Sequence, residues 1–132
     1  MEEVLIKRIM PNSLEAEQSV IGSMIMDKEA IVIAIEMLLQ EDFYYQQYGL
    51  LFQSMVELYN AGEPVDLVTL QAKLKAMNVP EEISSLEFVR DLITAVPTSA
   101  NVKSYAQIVK DKSVLRALIR VTEDIENKCY SG

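Results

Sequence analysis

The sequence predicts an all-α protein, on three observations. Apolar residues recur at steps of three and four, N-cap residues precede the periodic runs, and period-two alternation is sustained nowhere along the 132 residues. Half of the residues are apolar and 24% are charged, with only 4 Gly and 4 Pro. That composition excludes a disordered or low-complexity chain and fits one domain.

The elements follow in order. Asn12 with Glu15 has the arrangement of a capping box, and Leu14, Glu17, Val20, Ile21, Met24 and Ile25 continue at helical spacing. Residues 28–39 carry mixed signals. Ile31-Val32-Ile33 favours a strand, whereas charged flanks and a lack of turn residues favour a buried helix. A third helix places Tyr44, Tyr48, Leu51, Phe52, Met55, Leu58 and Tyr59 on one face and stops at Asn60-Ala61-Gly62. Asp66 caps a run through Leu70, Leu74 and Met77, which Pro80 ends. Ser84 and Glu87 form an S-x-x-E cap before Phe88, Val89, Leu92 and Ile93. The last and longest helix starts near Asn101 and runs to about Cys129. The chain thus divides into an extension at 1–12, a globular helical part at 13–97 and a long helix at 98–132.

Charge divides the chain at the same place. Residues 1–100 hold 16 acids and 6 bases, a balance of −10, and residues 101–132 hold 4 acids and 6 bases, a balance of +2. On the last helix Val114, Leu118, Val121 and Ile125 form one apolar seam, and Leu115, Leu118, Thr122, Ile125 and Cys129 form another beside it. Ile119 widens this arc, and Cys129 reads as a small buried hydrophobe. Two readings stay open: the arc buries into its own domain, or it pairs with another helix or subunit. Lys112, Arg116 and Arg120 make a basic stripe, and such stripes are usually a solvated face. Together with Lys103 and Lys110, the stripe also supports an alternative function, a helical nucleic-acid-binding module spanning 103–120.

Catalytic constellations are missing. No histidine occurs, which removes Ser-His-Asp and Cys-His catalysis and His-ligated zinc. The phosphate loop G-x-x-x-x-G-K-[ST] fails after Gly22, where Asp27 stands at the second glycine position. The single Cys excludes an internal disulfide. The N-terminus starts with acids instead of the basic n-region of a signal peptide. The longest apolar stretch is about ten residues, against ~20 needed to cross a bilayer. A cytoplasmic protein without catalysis, cofactor or metal is the expectation.

Several groups of residues resemble the N-terminal domain of the bacterial replicative DNA helicases, the DnaB family. The main ones are Asn12-Ser13-Leu14-Glu15-Ala16-Glu17-Gln18-Ser19-Val20-Ile21-Gly22-Ser23, Gly62-Glu63-Pro64-Val65-Asp66-Leu67-Val68-Thr69-Leu70, and Ala95-Val96-Pro97-Thr98-Ser99-Ala100-Asn101-Val102, with Glu41-Asp42-Phe43-Tyr44, Tyr105-Ala106-Gln107-Ile108-Val109 and Lys112-Ser113-Val114-Leu115-Arg116 completing the match. The resemblance implies a small orthogonal helical bundle followed by the first arm of a helical hairpin. It further implies that the chain is an N-terminal piece whose second arm and ATPase domain, with its ATP and Mg, lie outside it. In the family such domains pair into a trimer-of-dimers collar on a hexameric ring and dock the primase C-terminal domain. On this reading Val114, Leu118, Val121 and Ile125 are the self-association seam, and Phe88, Arg116 and Ile119 are candidate primase contacts. DNA binding by the piece itself is expected to be weak or absent, and no membrane is involved.

Overall fold

The computed structural model describes residues 9–96 and 99–132. The first eight residues of the expected extension, and the junction expected at 97–98, lie outside the described residues. Among the described residues every regular element is helical. In order these are α1 (Leu14–Met26), α2 (Lys28–Met37), a 3₁₀ turn (Gln40–Asp42), α3 (Gln46–Asn60), α4 (Leu67–Ala76), α5 (Glu81–Ser84), α6 (Leu86–Thr94) and α7 (Val102–Ser131).

Local chemistry explains where the helices begin and end. Ser13 caps α1 by accepting from the Ala16 N–H at 3.2 Å. The capping box expected from Asn12 and Glu15 does not form: Asn12 hydrogen-bonds to the Met10 carbonyl, and Glu15 lies exposed on the first turn. Asp27 joins α1 to α2 in one residue. Its N–H donates to the Ser23 carbonyl, and its carboxylate accepts from the Glu29 N–H at 3.0 Å. This second cap resolves residues 28–37 in favour of helix, while Leu38 and Leu39 are extended. Asp66 caps α4 as expected, in a reciprocal pair with Thr69 at 2.8 and 2.9 Å. The cap of α6 shifts by one residue. Ser85 accepts from the Phe88 N–H, while Ser84 is buried at the end of α5 and Glu87 is exposed. The short α5, which begins right after Pro80, has no periodic signal in the sequence.

Two helix ends use left-handed residues. Gly62, at φ 72°, closes α3, with the Glu63 N–H reaching the Leu58 carbonyl and the Gly62 N–H reaching Tyr59. Asn78, at φ 56°, closes α4 with the same pair of bonds, from Val79 to Leu74 and from Asn78 to Lys75. Both are Schellman closures, which satisfy carbonyls that the helix would otherwise leave unpaired.

The core is built around α1, which touches α2, α3, α6 and α7. Val20, Ile21 and Met24 on α1 pack with Ile31 and Ala34, Leu51, Phe52 and Met55, Leu70 and Leu74, Val89 and Leu92, and Ala106 and Val109. Tyr48, expected in the core, is buried and stacks on Phe88 with ring centroids 6.3 Å apart. No helix among the described residues is long and apolar enough to cross a membrane.

Gly22 sets how close α1 and α6 approach. A Cβ added there would collide with Val96 Cγ2 and stand 2.8 Å from the Leu92 carbonyl oxygen. Gly22→Ala should therefore destabilise the chain by about 1–3 kcal/mol in urea unfolding, despite alanine's better helix propensity. Equal or greater stability would show that the two helices separate freely.

Candidate functional site

The chemistry of this chain concentrates where α7 leaves the body. Glu17 lies on the first turn of α1, three and four residues before the core positions Val20 and Ile21, so helical geometry turns it inward. It is 1% exposed. Its carboxylate accepts the N–H groups of Tyr44 and Tyr45 at 3.0 and 3.1 Å. Those amides precede α3, whose N-cap residue Tyr45 makes no side-chain cap of its own. Glu17 thus fixes the chain that leads into α3 without itself capping the helix's first-turn amides. Burial pushes its carboxyl up from the ordinary 4.5, while the two amides and the nearby Arg116 charge act in the opposite sense.

Asp42, at the end of the 3₁₀ turn, is the second buried acid. It accepts from the Leu39 N–H at 2.8 Å and the Ser113 hydroxyl at 2.7 Å, and it pairs with the Lys110 ammonium at 3.2 Å. Arg116 completes the cluster. Its two terminal nitrogens donate to the Pro11 carbonyl at 2.8 Å and the Asp42 carbonyl at 2.7 Å, and its guanidinium lies 5.5 Å from the Tyr44 ring centroid. Burial lowers its affinity for the proton, and the charges of Glu17 and Asp42 counter that. A guanidinium stays charged in such a site.

Arg116 therefore corrects two expectations. The sequence places it on a solvated basic stripe and among the primase contacts, yet it is 2% exposed and its terminal nitrogens are committed to the body. Lys110 is likewise engaged and Lys112 is half-buried, so of these bases only Lys103 and Arg120 are exposed. The signal is present in the sequence. Val102, Ala106, Val109, Ser113 and Arg116 step by four, three, four and three, so Arg116 lies in phase with a buried stripe.

Past Arg116 the arm leaves the body. At 30 residues, α7 is about 45 Å long. Val114, Leu118, Val121 and Ile125 are 48–56% exposed on it. Every residue from Val121 onward is exposed, including Cys129, which was expected to be buried. Of the expected contact residues, Phe88 and Ile119 are half-buried, one on α6 and one on α7.

A helical body that projects a long arm with an exposed apolar seam defines a class: an all-α domain with a projecting helical arm. The family model of the DnaB-like helicase N-terminal domain matches residues 9–111, and the chain belongs to that family. It is 46% identical over 131 residues to the replicative DNA helicase DnaB of Geobacillus stearothermophilus, covering 99% of this chain and 29% of that protein. With the replicative DNA helicase DnaC of Bacillus subtilis it shares 37% identity over 131 residues, again 99% and 29%. The chain thus spans less than a third of the length of these relatives. Among solved structures, the N-terminal domain of DnaB helicase from Mycobacterium tuberculosis superposes with a TM-score of 0.90 at 36% identity, covering 94% of this chain and 89% of that one. The Helicobacter pylori domain, described with its interactions with primase, reaches 0.76 at 22% identity, with coverage of 88% and 90%. At that identity the likeness is one of fold.

The raised pKa of Glu17 gives a signed prediction. A carboxyl that holds its proton more tightly when folded stabilises the chain most at low pH and loses that contribution as pH rises through the raised value. The stability of the wild type relative to Glu17→Gln should therefore fall from about pH 4.5 upward, read from urea midpoints across the pH range. A difference that grows with pH would contradict the burial of this carboxylate.

Proposed function

We propose that this chain is the self-association and primase-docking module of a bacterial replicative helicase. The observation that carries the proposal is the exposed seam Val114, Leu118, Val121 and Ile125 on a helix that projects from a well-packed body. Isolated apolar side chains on a surface are ordinary, but a continuous helical stripe of them marks a partner site. In the proposed assembly the seam joins copies of the domain into the collar of a hexameric ring, and Phe88 and Ile119 contribute to the primase-facing surface. ATP hydrolysis and most contact with DNA would belong to a domain outside this chain, in the bacterial cytoplasm at the replication fork.

The body disfavours the nucleic-acid alternative. Its charge balance of −10 repels phosphate, and two of the five basic residues that the alternative needs, Lys110 and Arg116, already serve Asp42.

Leu118→Asp combined with Ile125→Asp tests the seam. Sedimentation should show the wild-type chain self-associating, and the double variant should associate at least about tenfold more weakly, because two buried apolar contacts would become charged. Its melting temperature should stay unchanged, since both positions are exposed in the single chain. An unchanged mass, or a variant that unfolds, would contradict the assignment. Phe88→Ala, titrated with the primase C-terminal domain by calorimetry, should weaken binding while leaving self-association intact.

A further inference from the structure

The arm is attached to the body in two chemically different stretches. The first is apolar: Val102, Ala106 and Val109 are buried against the core. From Lys110 onward no apolar side chain of the arm is buried, and Ile119 is the half-buried exception. In place of apolar contact, Lys110, Ser113 and Arg116, each three residues apart, engage Asp42 and the Pro11 carbonyl.

We propose that this polar clasp is a positioning device, in which Arg116 sets the angle of the arm to the body and release of the clasp lets the arm pivot about Val102–Val109 while the body stays folded. The two stretches differ in what they can specify. Apolar contact is non-directional, so it anchors the base of α7 without fixing its tilt. Hydrogen bonds and a planar guanidinium fork are directional, so they fix the tilt. Where both partners become hydrated on opening, water replaces these bonds, and most of their strength is recovered. The clasp is thus the part of the attachment that can open and close.

The acceptor side is built to survive opening. Asp42 keeps its bond from the Leu39 N–H, and Glu17 keeps Tyr44 and Tyr45, so the loop that Arg116 grips is held from within the body. That same loop lines an open groove with Leu39, Gln40, Phe43, Tyr44 and Gly49. A group bound there would touch the Tyr44 ring, on which the Arg116 guanidinium lies. Arg116 is in this sense a positioning residue, and the proposal concerns a distance within one chain, independent of any partner.

Spin labels at Lys75→Cys on α4 and Glu123→Cys on the arm, both exposed positions, report that distance by dipolar spectroscopy in a Cys129→Ser background, with the labelled chain diluted into unlabelled chain so that distances between copies do not contribute. A tilt of about 10° at Ala106 moves residue 123, about 26 Å further along the helix, by about 4 Å. The unmodified clasp should give one narrow distance. Arg116→Met, which keeps an unbranched stem but loses the fork, should broaden or shift it by about 4 Å or more, and Arg116→Lys should fall between. Amide exchange protection of Leu51, Phe52 and Met55 should be retained throughout. An unchanged distribution overturns the proposal. So does loss of that protection in Arg116→Met, which would make Arg116 a core group and not a clasp. Lys110→Met with Ser113→Ala opens the outer half alone, at half-buried positions, and should give a smaller broadening; a width equal to the wild type would count equally against it.

Discussion

The arrangement of body and arm depends on one buried carboxylate. Glu17 is the acceptor for two backbone amides that precede α3, and it lies beside the guanidinium that ties α7 to the same loop. Without that acceptor, two part-buried N–H groups would lose their hydrogen-bond partner, which is costly to the extent that water cannot replace it. With it, residues 42–45 become a fixed platform. The 3₁₀ turn presents Asp42 outward to Lys110 and Ser113, its carbonyl meets Arg116, and the Tyr44 ring lies against the same guanidinium. Even the chain leading into α1 is held at this point, through the Pro11 carbonyl and through the bond from the Tyr45 hydroxyl to Asn12.

A polar cluster at this position solves a geometric problem. An arm that must expose an apolar seam cannot use the same kind of surface to fix its own direction, because apolar faces do not discriminate between partners. Charged and hydrogen-bonded groups supply that discrimination: each donor has few acceptors in reach, and an unpaired one is costly. The division of labour runs along a single helix, with apolar anchoring at Val102–Val109, polar orientation at Lys110–Arg116 and an exposed seam beyond. The charge asymmetry of the chain fits this division. The −10 of residues 1–100 includes the acids that receive the arm, and the +2 of residues 101–132 includes the bases that reach them.

What could be read in advance was whatever depended on neighbours three or four residues away. The Asp66 cap, the Gly62 stop, the helical class and the α3 core positions Tyr48, Leu51, Phe52, Met55 and Leu58 follow from local spacing, and the structure reproduces them; Tyr44, which precedes α3, and Tyr59 are exposed instead of continuing that stripe. Two caps fall one residue from their expected places, at Ser13 and Ser85, because adjacent Asn, Ser and Ser-Ser residues offer nearly equal capping groups. The cluster itself escaped local patterning for a different reason. Arg116 meets Asp42 across 74 positions and Pro11 across 105, and charged residues in helical runs default to solvent in any reading by periodicity. Glu17 and Arg116 are nonetheless marked, each standing in phase with buried apolar neighbours. A charge on the buried stripe of an amphipathic helix is the signal that local patterning records and a charge-to-solvent rule discards. The exposed seam was legible as an apolar arc, but periodicity could not say whether it buries against its own body; the exposure of Val114, Leu118, Val121 and Ile125 along the projecting α7 shows that it does not.

The central claim is that Glu17 holds the loop from which the arm is positioned, and amide hydrogen exchange at Tyr44 and Tyr45 tests it most directly. Both residues precede α3, outside any helical ladder, and both amides donate to that carboxylate. The account predicts protection comparable to that of Leu51 and Phe52 inside α3, on the order of 10³-fold or more over an open loop, because exchange would require opening a bond to a buried carboxyl acceptor. Exchange at the rate of a solvated loop would contradict it, since the platform would then not be held and the arm would have no fixed seat.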